Sequence, residues 1–170
     1  MDNSFIPDSY YVVETLSHVS MSANYQFQST EDNHEFFQWL DVSAGIDGFV
    51  KTEQGVFGVA SRIRFQKENK PIYRDFTIRL SNHDVKSEFD KRLESINNGS
   101  IFPFFTLCAW YRDKEFICGA RINTRELYEI ITNPCYKHLV KKNLFSDRPF
   151  VAVSWDDLKL AEAKSLLVIN

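Results

Sequence analysis

Between Ala44 and Gln66 the chain, AGIDGFVKTEQGVFGVASRIRFQ, alternates apolar and polar positions with a period of two, the signature of β-strands. Gly45 to Val50 forms the first strand, Glu53-Gln54-Gly55 turns the chain, and Val56 to Gln66 returns. On the returning strand Phe57, Val59, Ser61, Ile63 and Phe65 share one face, with Gly58, Ala60, Arg62, Arg64 and Gln66 on the other. Two arginines and a glutamine in a row are costly to bury, so that face is expected to be wet or to hold an anion. Asp47, on the first strand, then sits near cations on its partner.

Elsewhere the pattern predicts a mixture of helices and strands. Tyr10 to Leu16 suits a helix or a strand, and Val19 to Phe27 is weakly patterned. Ser29-Thr30-Glu31-Asp32 offers a cap and first-turn acids for a helix running to about Leu40, burying Phe36, Phe37 and Leu40. Pro71 to Leu80 reads as a third strand. Ser81-Asn82 can cap an amphipathic helix over Asp84–Asn97, whose stripe is Val85, Phe89, Leu93 and Ile96 and whose stop is Asn97-Asn98-Gly99. A second hairpin follows, Phe104 to Tyr111 and Glu115 to Ile122. Asn123 with Glu126 then suggests a capping box on a short helix ending before Pro134. Cys135 to Lys142 suits a further helical turn, Phe150 to Trp155 a last strand, and Leu158 to Ile169 stays ambiguous. No repeat or linker interrupts the chain, so residues 1–170 are expected to form one domain.

Composition narrows the classes. At 44% hydrophobic and 25% charged the chain is globular in type, and no run approaches the roughly 18 apolar residues of a membrane span. The polar MDNSFIPDSYY stretch does not read as a signal peptide. Cys108, Cys118 and Cys135 have neither metal-site nor disulfide-framework spacing, which points to a reducing cytoplasm. The net charge of −3 hides an asymmetry: residues 1–54 carry nine acids and one base, a net −8, so the remainder carries +5. From Arg62 to Arg79 six bases face two acids, a balance suited to phosphate or to internal attraction between the halves of the chain.

The order helix, three strands, helix, strands, helix, with Gly45-Ile46-Asp47, a glycine-containing turn and Phe57-Gly58-Val59-Ala60-Ser61-Arg62, resembles the PD-(D/E)XK, or restriction-endonuclease-like, superfamily over roughly residues 29–132. The resemblance implies an α/β (α+β) fold, a single mixed sheet flanked by helices around an αβββαβ core. In that superfamily an aspartate on the first strand is followed by acid-x-lysine on the second, often joined by a helix glutamate. The carboxylates hold Mg²⁺, which polarises a phosphodiester and activates water. Asp47 matches the first acid and Glu35 the helix glutamate, which implies Mg²⁺ held by these two. The acid-x-lysine slot falls on Ala60-Ser61-Arg62, so the second acid is absent and arginine replaces lysine. Arginine keeps the charge and can hold phosphate, but it cannot act as a base. Asp75, on the third strand opposite Arg62 or Arg64, is the substitute acid.

The resulting expectation is a nucleic-acid-binding pseudonuclease. Asp47, Glu35, Arg62 and Asp75 make up its degenerate catalytic set, and Arg62, Arg64, Gln66, Thr77 and Arg79 contact DNA or RNA phosphate. Cleavage is expected to be impaired or absent. The rival from another class is a non-enzymatic inhibitor or immunity-type protein whose acidic first third, with Asp32, Glu35, Asp41 and Glu53 exposed together, docks a basic protein partner. His18, His34, His83 and His138 lack partners at a diagnostic spacing and are expected at the surface.

Overall fold

The computed structural model describes residues 8–19, 26–29, 35–67, 70–80, 86–144 and 149–170. The main sheet is built on the hairpin that alternation predicts: β2 (Gly48–Thr52) and β3 (Gly55–Phe65) pair antiparallel from Gly48↔Val59 to Thr52↔Gly55. A short strand, β1 (Gln26–Ser29), lies outside β2. On its other side β3 pairs in parallel with β5 (Phe105–Arg112), which continues antiparallel through β6 (Glu115–Asn123) to β9 (Leu167–Ile169). The order is β1-β2-β3-β5-β6-β9, a mixed sheet flanked by helices, as the fold class implies. No helix among the described residues is long and apolar enough to cross a membrane.

One face of the sheet is covered by α1 (Asp8–Val19), which resolves the ambiguity over Tyr10–Leu16 as a helix. Val12, Leu16 and Val19 are buried against Val50, Val59 and Leu107. The other face carries the larger core, where Cys108, Trp110, Cys118, Ala120 and Ile122 meet Phe76, Ile78, Val151, Val153 and Trp155. Burial on both faces provides the main driving force, about 25 cal/mol for each Å² of apolar surface removed from water.

The third strand departs from the single-sheet expectation. It is shorter than Pro71–Leu80, spanning Asp75–Arg79 (β4), and it pairs not with the hairpin but with β8 (Phe150–Ser154), which pairs in turn with β7 (Val140–Asn143). These three strands form a second sheet lying over the Arg62/Arg64 face of the first. A side-chain latch joins the layers. Arg64 Nη1 donates to Asp75 Oδ1 at 2.8 Å and to Tyr73 O at 3.2 Å, and Nη2 donates to Thr77 Oγ1 at 2.6 Å. Trp110 Nε1 reaches the same Tyr73 carbonyl at 2.9 Å, and its ring lies under the Arg64 guanidinium. At Arg64 the polar face of β3 therefore needs no water, because the partner sheet and the segment leading into it supply the acceptors.

Helix boundaries show similar local adjustments. α2 (Glu35–Ala44) buries Leu40 but leaves Phe36 about half exposed; the Phe37 side chain and residues 30–34 lie outside the described set. α3 begins at Glu88, not Asp84, because Ser87 and Asp90 form a capping box; it ends at Asn98 with Gly99 in the left-handed region, and Ser81 to Val85 are not described. On α4 (Thr124–Thr132) Asn123 caps as expected, but Glu126 does not return to Asn123. Its carboxylate accepts from the backbone of Lys164 and Ser165 instead, tying down the C-terminal turn. Pro134–Leu139 is a 3₁₀ helix leading into β7, and the ambiguous tail resolves into α5 (Trp155–Leu160) and β9.

The latch gives a direct test. Arg64→Ala leaves the part-buried Asp75 without its cation and is expected to lower stability by about 2–4 kcal/mol in urea unfolding. The double variant Arg64→Ala/Asp75→Ala is expected to lose clearly less than the sum of the single losses. Strict additivity would show that the latch does not hold the sheets together.

Candidate anion-binding cleft

β3 has eleven residues, but β2 begins only opposite Val59. Beyond that point the β2 side of β3 has no neighbouring strand, and the backbone N–H of Ser61 needs another acceptor. Asp47 supplies it. Its own N–H donates to Val59 O at 2.8 Å, which fixes the backbone, and its Oδ2 accepts from Ser61 N at 2.5 Å and Ser61 Oγ at 3.2 Å. Asp47 thus lies just ahead of the strand, in the connection leaving α2.

That connection is held by α3. Gly45 terminates α2 with φ of 64°, its N–H donating to Asp41 O at 2.9 Å. The positive φ favours glycine, and a Cβ there would also lie 3.0 Å from Arg92 Nε and Nη2, so the arginine would have to shift by a few tenths of an ångström. Lys91 Nζ donates to Val42 O at 2.8 Å and Arg92 Nη2 to Gly45 O at 2.9 Å. Two cations therefore meet the carbonyl-rich C-terminal end of α2, where its dipole favours positive charge.

Between these parts lies a cleft of about 650 Å³. Its inner wall is Ala60, Thr106 and Cys108 from the main sheet with Phe76 and Ile78 from β4. Charged groups line the rest: Arg62, Arg79, Lys86, Lys91 and Arg92 against Asp41, Asp47 and Glu88. Arg92 is only 4% exposed; Glu88 Oε1 meets its Nη1 at 2.7 Å, while its Nε has no partner among the described residues. Arg62 is half-buried. Its sole ion-pair neighbour among the described residues is Glu88 at 4.0 Å, beyond hydrogen-bond range, and none of its donors makes a hydrogen bond there. Burial, opposed by Glu88 and aided by Arg64 and Arg79, lowers the Arg62 pKa, yet it stays a cation.

Burial also acts on Asp47, pushing its carboxyl up to about 6 despite the Ser61 hydrogen bonds and the Arg92 charge. Cys108, beneath the cleft, is pushed by burial to about 11, so its thiol stays protonated and is not a nucleophile at neutral pH.

Of the residues expected at a site, Asp47, Arg62, Thr77 and Arg79 line this cleft. Glu35 does not: it is exposed in the first turn of α2, about 14 Å along the helix axis from the end that meets Asp47. Asp75 is bound to Arg64 and Thr77, and Arg64 is consumed by the latch. Gln66 accepts from Arg112 and donates to Lys70 O at 2.9 Å, so its amide too is engaged. The Thr77 hydroxyl is shared between Arg64 and Asp75. Lys91, Arg92 and Glu88 were missed by motif, although an arginine at the stripe position between Phe89 and Ile96, four residues after a glutamate, is a legible signal. Of the histidines, His18 stacks on Phe116 at 4.1 Å, and His34 and His83 lie outside the described residues.

The donor set does not suit a resident Mg²⁺. That ion demands several hard oxygens in near-octahedral array. Here one Asp47 oxygen is committed to Ser61, Glu35 is remote, Asp75 and Glu88 are paired with Arg64 and Arg92, and Asp41 is the one further carboxylate among the described lining residues, which otherwise carry five cations. No group of three or more His, Cys, Asp or Glu side chains able to hold a metal occurs among the described residues. Comparison with known proteins adds no family: no family model matches the chain, and no curated protein matches it in sequence.

The raised Asp47 pKa makes stability depend on pH. Between 3.8 and about 6 the folded chain keeps a proton that the unfolded chain has released. The stabilisation is therefore full below that window and is lost as pH rises through 6. Asp47→Asn is expected to raise Tm at pH 7 and to flatten the slope between pH 4 and 6. An unchanged slope would remove Asp47 as its source.

Proposed function

We propose that the protein is a nucleic-acid-directed, nuclease-like protein of the cytoplasm whose cleft grips phosphate and whose metal-dependent cleavage is weak or absent. The observation that carries this reading is the convergence of Arg62, Arg79 and Lys91 on one open cleft beside Asp47. Arg62 in particular offers a planar fork of donors with no acceptor among the described residues. Such a group recognises phosphate oxygens in pairs. The kinship we propose to the PD-(D/E)XK superfamily, as a binding descendant with Arg62 in the lysine's place, rests on Asp47 and the degenerate Ala60-Ser61-Arg62 slot and not on the third strand, which lies in the second sheet. Arg62 and Arg79 take the backbone contacts; Arg64 and Gln66 are withdrawn from that role by their partners.

A second reading rests on α2, where Phe36, Trp39 and Val42 are each more than half exposed and are flanked by exposed Glu35 and Asp41. An acid-edged apolar ridge suits a basic protein partner. Glu53 is also exposed, and Asp32 lies outside the described residues.

Retention of single- and double-stranded DNA and RNA at low salt is the test. Binding is expected to survive EDTA and to weaken steeply with salt, with Arg62→Ala and Arg79→Ala each reducing the salt slope by about one. Titration with Mg²⁺ should give no heat that Asp47→Ala abolishes. No retention of any nucleic acid at low salt would end the nucleic-acid reading and leave the α2 ridge as the functional surface.

A further inference from the structure

The cations of the cleft are arranged by depth, and the depth bears on which phosphate it takes. Arg79 and Lys86 are exposed at the rim, with Lys86 already paired to Glu94 at 2.5 Å. Arg62, on the strand that contributes to the inner wall, is half-buried, and Arg92 of α3, which lines the same cleft, is only 4% exposed. The wall itself is closed by Phe76, Ile78 and Cys108, each about 1% exposed. An internal phosphodiester carries a nucleoside on both sides, and both flanks must be accommodated when it meets the half-buried Arg62. A terminal phosphate has one flank, three free oxygens and a charge of about −1.5 to −2 at neutral pH. Glu88 does not compete for Arg62, because its oxygen is at 2.7 Å from Arg92 and 4.0 Å from Arg62.

From this geometry we infer that the cleft captures the terminal phosphomonoester of a nucleic-acid end, with Arg62 as the ligand-touching fork and Arg79 at the rim contacting the following backbone. The inference rests on the nucleic-acid reading above and narrows it to strand ends.

The probes are short single strands of one sequence carrying a 5′-phosphate, a 3′-phosphate or hydroxyls at both ends, and a circular strand with no ends, compared by fluorescence anisotropy at fixed salt. One of the phosphorylated ends is expected to bind roughly ten- to a hundredfold more tightly than the hydroxyl-ended strand, the strength of one added charge-assisted pair. Whichever end is preferred identifies the source of the phosphate. Inorganic phosphate should compete selectively with that end. Arg62→Ala should erase the preference while Arg79→Ala weakens all probes alike; Arg62→Lys, which keeps the charge without the fork, should retain only part of it. Thermal unfolding of each variant checks that it folds. Equal binding of all four probes would overturn end capture and leave the general nucleic-acid reading standing. Failure of every probe to bind would overturn both.

Discussion

The architecture depends on one unequal pairing: β3 is longer than the partner that starts it. Its first half is paired to β2 and its second half to β5, with Val59 as the changeover. Past Val59 one edge of the strand has no neighbour, and an unpaired N–H there would cost as much as a lost hydrogen bond. The Asp47 carboxylate answers that need at Ser61. Because a side chain takes the place of a strand, the sheet ends in an opening, and α2, α3 and β4 frame it as a cleft.

The same constraint explains the electrostatics. A carboxylate held in place of a backbone carbonyl is drawn away from water, which is why its pKa climbs to about 6. Alternate residues on β3 then send Arg62 and Arg64 to one face, but with different fates. Arg64 meets Asp75, Thr77 and Tyr73 and becomes the link between two sheets. Arg62, two residues nearer the cleft, meets no acceptor within hydrogen-bond range among the described residues. One arginine is structural and its neighbour is available for a ligand, although the sequence writes them identically.

That difference marks what could be read from the chain alone. The β2–β3 hairpin, the Asn123 cap, the hairpin of β5 and β6 and the convergence of Asp47 with Arg62 follow from periodicity and local spacing. The sheet to which β4 belongs does not, because alternation assigns a strand without naming its partner, and the pairing partner, β8, begins some 70 residues later. Asp75 was expected opposite Arg62 or Arg64; only its sheet membership decides for Arg64. Glu35 does not line the cleft for a geometric reason: it lies at the far end of the helix whose other end reaches it. Arg92 went unremarked because a charge within an apolar stripe breaks the pattern that identifies helices.

Glu88 decides what kind of cleft this is. An acid among five cations could have neutralised the accessible guanidinium and left an inert, self-satisfied surface. Instead its short contact goes to Arg92, the cation that solvent cannot reach, in the i,i+4 geometry of its own helix. Desolvating a charge without a counter-ion costs several kcal/mol, so the buried arginine has the stronger claim on that carboxylate. The exposed part of Arg62 retains the weaker need, since water can solvate it. Internal pairing thus secures the fold at depth, and the same choice leaves the half-buried Arg62 fork without a hydrogen-bond partner among the described residues.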